Sequence, residues 1–155
     1  MSKLVSVVIT TRNRARLLLR ALRSVLEQGY GNLEIIVVND FSSDDTRKVL
    51  KEFSRGQKNL RFFNNPKNLG IVKSLNLGIK NARGFYIARL DDDDAWLDKE
   101  KLSKQVRFLD SRPDYVLVGG GMIVTNKSGK EVSKHIFKGR WGDKKTASGK
   151  KSFCA

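Results

Sequence analysis

Lys3 to Thr10 opens the chain with a nearly continuous β-branched run. A strand with apolar residues on both faces has none to turn to water, so it must be covered on both sides. That is the condition of strands in a parallel sheet flanked by helices. The following residues keep to the same plan. Leu17, Leu18, Ala21, Leu22, Val25 and Leu26 recur at helical spacing, with Asn13 placed to cap the helix and Gly29 to stop it. Leu33 to Val38 is a second apolar run, and a turn rich in capping residues leads to a helix carrying Val49, Leu50 and Phe53 inward and ending near Gly56. Leu60 to Phe63 is a short third strand, closed by Asn64-Asn65-Pro66. Ile71, Leu75 and Ile79 share one face of a third helix that runs towards Gly84. Phe85 to Leu90 is the fourth strand, and Leu102, Val106 and Leu109 mark a fourth helix broken at Pro113. Tyr115 to Gly119 is a further strand, and Met122 to Thr125 pairs with the segment after the Lys127–Lys130 turn.

Strands alternating with helices of this length specify an α/β sandwich around a mostly parallel sheet. Right-handed crossovers put the loops after successive strands on one edge, and ligands of such sheets bind outside the carboxyl ends of the strands. That edge collects Thr10 to Asn13, Asn39-Asp40, Asn64-Asn65 and the four consecutive aspartates Asp91 to Asp94. Crowded carboxylates disfavour one another's ionisation unless a cation is present. Hard divalent ions such as Mg²⁺ or Mn²⁺ take one or two carboxylates plus substrate phosphates, so the acidic run points to a metal–diphosphate site. A solvated acidic loop is the bland alternative.

The 155 residues suffice for one domain with a single core. No apolar stretch approaches a membrane span, and the N-terminus lacks a signal peptide's apolar run. One cysteine, Cys154, excludes an internal disulfide and fits a reducing compartment, so a cytoplasmic location is expected. One histidine, His135, leaves no His/Cys zinc cluster, and any metal must be held by oxygen. The formal charge of +15 admits attraction to an anionic membrane surface, which would place the protein at the inner face of the membrane. Nucleic acid is not an expected partner, because no RNA-binding aromatic signature or zinc-knuckle spacing accompanies the charge. Beyond about residue 138 the hydrophobic periodicity is lost, and residues 139–155 are expected to form a basic, poorly ordered tail.

Several chemistries fail on particular residues. Thr10 to Asn13 stands where a dinucleotide-binding turn would need Gly-x-Gly-x-x-Gly, and no P-loop is present. An EF-hand starting at Asp91 would need glycine and glutamate where Trp96 and Leu102 stand. No serine lies in a Gly-x-Ser-x-Gly elbow.

The run Val5 to Arg14 resembles the opening of family 2 glycosyltransferases, whose fold is the GT-A nucleotide-diphospho-sugar transferase sandwich. Leu33 to Thr46 resembles that family's second block, usually Val-Asp-Asp-Gly-Ser-x-Asp-x-Thr. Asn68-Leu69-Gly70 with Ser74 to Ile79 is similar to a third block, and Gly84 to Trp96 to the fourth, which carries the Asp-x-Asp motif. The resemblance implies that residues 1–138 bind a nucleoside-diphosphate sugar, with a UDP-sugar favoured. It places Thr10 and Arg12 at the nucleobase and ribose, and Asp40 at the base N3–H. Asp91 and Asp92 would lie near the ribose and diphosphate, and Asp93 would be the principal ligand of Mg²⁺ or Mn²⁺. The activity implied is inverting transfer to a saccharide or lipid-linked acceptor in cell-surface polysaccharide synthesis.

Ordinary structural uses stand beside these roles. Asp40, Ser42 and Ser43 are also the residue types that cap a second helix, and Trp96 suits packing against the sheet edge. Two positions depart from the family within its blocks: Asn39 replaces the first of two aspartates, and Phe41 stands where glycine is usual. Family members usually continue for about another hundred residues or more, supplying the acceptor site and a carboxylate base. No such base is found here, since the surroundings of Glu131 and Asp143 do not resemble that segment. The chain therefore reads as the donor-binding part, and an uncovered acceptor edge would favour self-association. Two other functions compete. A sugar-phosphate nucleotidyltransferase would want a Gly-rich, lysine-bearing first loop, and a nucleotide- or polyanion-binding remnant would account for the charge without activity.

Overall fold

The opening apolar run becomes β1 (Val5–Thr11), and it lies inside a parallel sheet as its composition demands. The computed structural model describes residues 2–126, 130–135 and 151–153. In chain order the elements after β1 are α1 (Ala15–Leu26), β2 (Leu33–Asn39), α2 (Thr46–Arg55), β3 (Leu60–Asn64), α3 (Ile71–Lys80), β4 (Tyr86–Arg89) and α4 (Lys101–Ser111). Then follow β5 (Leu117–Val118), β6 (Met122–Thr125), β7 (Glu131–His135) and β8 (Lys151–Phe153). Six strands form one sheet in the order β3-β2-β1-β4-β8-β5, with every pairing parallel. The expected α/β sandwich is thus present, with three layers.

Side chains of alternate parity feed two cores. Val5, Val7 and Ile9 of β1 join Ile35 and Val37 of β2 under Leu18, Leu22 and Val25 of α1, Leu50 of α2, and Leu102, Val106 and Leu109 of α4. On the opposite face Val8, Ile36 and Ile87 meet Leu75 and Ile79 of α3. Val7 and Val8, neighbours of opposite parity, are both 0% exposed, which is why this strand could not have served a sheet with one face turned to water. Each fully buried Val, Leu or Ile contributes roughly 1.5–3 kcal/mol, so these two layers supply most of the drive to fold.

Two glycines set close approaches. A Cβ at Gly78 would lie 2.4 Å from Val8 Cγ1, so α3 rests on β1 at a distance only glycine permits. Gly84, expected near the end of the third helix, instead lies beyond α3 and faces Ser6, where a Cβ would be 2.6 Å from the Ser6 nitrogen. Nearby, Glu34 is buried and accepts hydrogen bonds from Ser6 Oγ (2.6 Å), the Arg83 N–H (2.7 Å) and Arg61 (2.8 Å). Burial favours its neutral form, but these hydrogen bonds and the Arg61 charge outweigh burial and hold its pKa below the ordinary value.

Two sequence expectations change in detail. The strand expected over Tyr115 to Gly119 is confined to Leu117–Val118. Of the residues 139–155 read as a tail, only Lys151–Phe153 are described, and they form β8, paired with both β4 and β5. Cys154 and Asp143 lie outside the described residues. The hairpin expected after Met122 is present as the antiparallel β6–β7 ribbon, which leaves Met122, Ile123, Val124 and Val132 exposed.

Candidate functional site

The carboxyl ends of β1, β2 and β4 and the loop before α3 enclose an open cleft of about 410 Å³, lined by Thr10, Thr11, Arg12, Arg14, Asp40, Asn68, Gly70, Ile71, Ser74 and Asp92. The topology accounts for the convergence: parallel strands end on one edge, and the tight seat of Gly78 on β1 sets α3 over it. Four residues singled out from sequence, Thr10, Arg12, Asp40 and Asp92, line this one cleft. Asp91 and Asp93 are not among the lining residues; Asp93 adjoins the cleft through Arg14 and Asp91 pairs with Arg89 at 2.6 Å.

Asp40, at the end of β2, is 5% exposed. Its Oδ1 accepts from Asn65 Nδ2 and from the Leu69 N–H, and its Oδ2 from the Gly70 N–H, all at 2.8 Å. Burial alone would raise its pKa, but the Leu69, Asn65 and Gly70 donors prevail and lower it, so the carboxylate is charged at neutral pH. Asn65 also donates to Ser74 Oγ at 2.9 Å, which ties the end of β3 to α3. Capping of the second helix does not explain Asp40, because its bonds go to the loop before the third.

The loops after β1 and β2 hold each other. Asn13, in the left-handed region at φ 54°, takes the Ser43 N–H on its Oδ1 (2.7 Å), and its own N–H donates to Ser42 Oγ (2.9 Å). It therefore does not cap α1, contrary to expectation. Asp44 reaches across instead: its Oδ2 accepts the Ala15 N–H (3.1 Å) and its Oδ1 the Thr46 N–H (3.0 Å). One carboxylate thus serves the amino ends of two helices, where negative charge is favoured. Ser43 is likewise no cap for α2.

Of the two departures from the family pattern, that at Asn39 has a local explanation, and at position 41 the backbone shows why glycine is usual. Asn39 is fully buried; its Nδ2 donates to Asn64 Oδ1 (2.8 Å) while its Oδ1 accepts the Ser42 N–H (3.1 Å). A carboxylate there could not donate. Phe41 adopts φ 61°, the backbone region that glycine enters freely, with its ring half exposed.

The acidic run is neutralised by arginines. Arg14 Nη1 lies 3.1 Å from Asp92 Oδ1 and 2.6 Å from Asp93 Oδ2, and Arg20 donates to the Asp93 carbonyl. Asp94 is pushed upward by burial and by the charges of Asp93 and Asp91. Among the described residues no three His, Cys, Asp or Glu side chains cluster as a complete metal cage. The carboxylates of Asp93 and Asp91 are nonetheless 45% and 39% exposed. One or two carboxylates with the rest of the shell from phosphate and water is the oxygen set a hard cation takes, so the residues present fit Mg²⁺ or Mn²⁺.

Three participants were not picked out from sequence. Thr11 stands in the Thr10–Asn13 cluster, and Arg14 and Asp44 stand in the first and second family-like blocks, but none was given a role of its own, since those roles depend on partners brought from other loops. Thr11 is 3% exposed, lines the cleft and has a hydroxyl with no hydrogen-bond partner among the described residues. Trp96 packs into the larger core, as expected. Glu131 lies exposed on the β6–β7 ribbon, and no general base is assigned.

The sequence matches the family model for glycosyl transferase family 2 over residues 6–153. It is 36% identical over 126 residues to EpsE of Bacillus subtilis (strain 168), which bears a glycosyltransferase name; the match covers 81% of this chain and 45% of that protein. TuaG of the same organism, named for teichuronic acid biosynthesis, is 34% identical over 109 residues, covering 70% of this chain and 43% of TuaG. Among solved structures, S. aureus TarS 1-349 in complex with UDP-GlcNAc superimposes with a TM-score of 0.68 at 28% identity, covering 75% of this chain and 34% of TarS. The layered architecture is the GT-A, Rossmann-like one of these neighbours. The chain spans less than half the length of each of these proteins.

Proposed function

The chain belongs to glycosyl transferase family 2, and from that membership we propose that it is the donor-binding part of a metal-dependent, inverting glycosyltransferase. The donor is a nucleoside-diphosphate sugar, and the acceptor a glycan or lipid-linked saccharide of a cell-surface polysaccharide. The observation that carries this is the convergence of Thr10, Arg12, Asp40 and Asp92 on one cleft beside an acidic strand end. Kinship to TuaG supports a polysaccharide product. The TarS complexes with UDP-GlcNAc and UDP support a uridine nucleotide.

In this assignment Thr10 and Arg12 line the base and ribose. Asp40, charged and with acceptor capacity left on Oδ2, receives the N3–H of the base. Asp91 and Asp92 lie towards the ribose and diphosphate, and Asp93 holds the metal. A bound Mg²⁺ or Mn²⁺ supplies Lewis-acid stabilisation of the charge that gathers on the departing nucleoside diphosphate. The base that deprotonates the acceptor is not assigned to any residue here. The +15 charge suits a site of action at an anionic membrane surface. Among the described residues no helix is long and apolar enough to cross a membrane.

Calorimetric titration of UDP with Mn²⁺ and then with EDTA tests the assignment. Binding that requires the metal, and is lost in Asp93→Ala, is expected. Equal binding in that variant would remove Asp93 from the site, and no binding of UDP, GDP, CDP or dTDP to the folded chain would reject donor binding altogether.

A further inference from the structure

Arg14 is electrostatically misplaced unless its partners are counted. It stands at the N-cap of α1, the positive end of the helix dipole, where a cation is disfavoured. What holds it is the acidic run: one guanidinium nitrogen bridges Asp92 at 3.1 Å and Asp93 at 2.6 Å. Asp92 has only 7% of its side chain exposed, so its charge needs a partner, and Arg14 is its one ion-pair partner among the described residues. Arg14 itself is 48% exposed and lines the cleft, so its head has room to leave.

Resting on the donor assignment above, we propose that Arg14 is an exchangeable internal counter-ion that couples metal binding to diphosphate binding. Without a divalent cation the guanidinium neutralises Asp92 and Asp93. A cation that takes Asp93 competes with it directly and meets its like charge. The guanidinium released by that competition has a fork geometry matched to phosphate oxygens, and the same cleft would hold them. Metal alone and nucleotide alone are therefore each bound weakly, and each strengthens the other by the same factor. Arg14 is a positioning and coupling residue in this scheme; it takes no part in bond making.

Mn²⁺ titrations followed by electron paramagnetic resonance, without nucleotide and with saturating UDP, test this on the full chain, Arg14→Gln and Arg14→Lys. Without UDP, Arg14→Gln is expected to bind Mn²⁺ about tenfold more tightly than the unmodified chain, the order of effect of removing one positive charge a few ångströms away. The enhancement of Mn²⁺ binding by UDP should largely disappear. Arg14→Lys keeps the charge but not the fork, so Mn²⁺ alone should bind as weakly as to the unmodified chain while UDP gives less enhancement. Unchanged or weaker Mn²⁺ binding in Arg14→Gln, with metal-dependent UDP binding intact in the unmodified chain, would overturn the exchange and leave the donor site standing. Full UDP enhancement in Arg14→Lys would also overturn it, and remains readable if Arg14→Gln does not fold. Absence of Mn²⁺ and UDP binding from the unmodified chain would overturn both proposals together.

Discussion

Replacing Asp40 by asparagine should open the loop that closes the cleft. The carboxylate accepts three hydrogen bonds at 2.8 Å in a site that is 5% exposed. Hydrogen bonds to a charged group contribute roughly 1.5–3 kcal/mol each, against about 1 kcal/mol for neutral ones. The amide oxygen of the substituted side chain could keep the Asn65 and Leu69 donors at neutral strength. Its NH₂ would face the Gly70 N–H, donor against donor, and that bond is lost. The Gly70 N–H keeps a second acceptor, Asn68 Oδ1 at 3.1 Å, which limits the damage. One charge-assisted bond lost and two weakened give about 2–4 kcal/mol, or a fall in Tm of about 5–15 °C for a chain of this size. Urea unfolding monitored by circular dichroism measures the total, and amide exchange at Leu69 and Gly70 locates it. A loss below about 0.5 kcal/mol, or unchanged protection at those two amides, would refute the view that Asp40 organises the loop.

Two further outcomes follow from the packing and the charges. Gly78→Ala should cost about 1–2 kcal/mol, because overpacking against Val8 exceeds the gain in helix propensity; adding Val8→Ala should recover part of it in a double-mutant cycle, whereas strict additivity would refute the contact. Stability should fall on acidification: Glu34, Asp40 and Asp44 all have folded pKa values below their ordinary 4.5, 3.8 and 3.8, so the unfolded chain binds more protons as the pH drops through that range. Their contribution is complete above about pH 5 and lost as the pH falls through the depressed folded values; Asp98, held down by its bond to Lys104, acts in the same sense, and Asp94, shifted upward, opposes them with one group against four. Urea midpoints from pH 7 to 2.5 should decline below about pH 4.5, and less steeply in Asp40→Asn; a flat profile would contradict the assigned hydrogen bonds.

Most of the fold was legible because it follows from local pattern. Val5 to Ile9 and Leu33 to Val38, apolar at both parities, admit little except buried parallel strands, and the apolar spacing in α1 and α3 marks the side each helix buries, while the face of the sheet each covers follows from strand order. The cleft was legible for the same reason, since parallel strands must end on one edge. Sequence failed where partners come from different loops. Asn13 has a capping residue's chemistry, but nothing in its neighbourhood shows that Asp44, far along the chain, takes the α1 terminus. Arg14 looks like a surface charge until Asp92 and Asp93 are set beside it. Short strands were also poorly delimited: β5 is two residues long, and β8 draws its place in the sheet from β4 and β5 rather than from its own Lys-Ser-Phe composition.

The lacing of Asn13 to Ser43 and of Asp44 to Ala15 bears on how such sites can be altered by recombination. Neither loop keeps its shape as an independent module, because each supplies the other's missing donors or acceptors. A graft of residues 10–15 that brings no acceptor at position 13 would strand the Ser43 N–H, and a graft of 39–46 that brings no acceptor at position 44 would strand the Ala15 N–H. The two loops have to travel together, and with them the Leu69-Gly70 and Asp92-Asp93 segments that hold Asp40 and Arg14, so crossover points placed between the two loops should yield misshapen clefts.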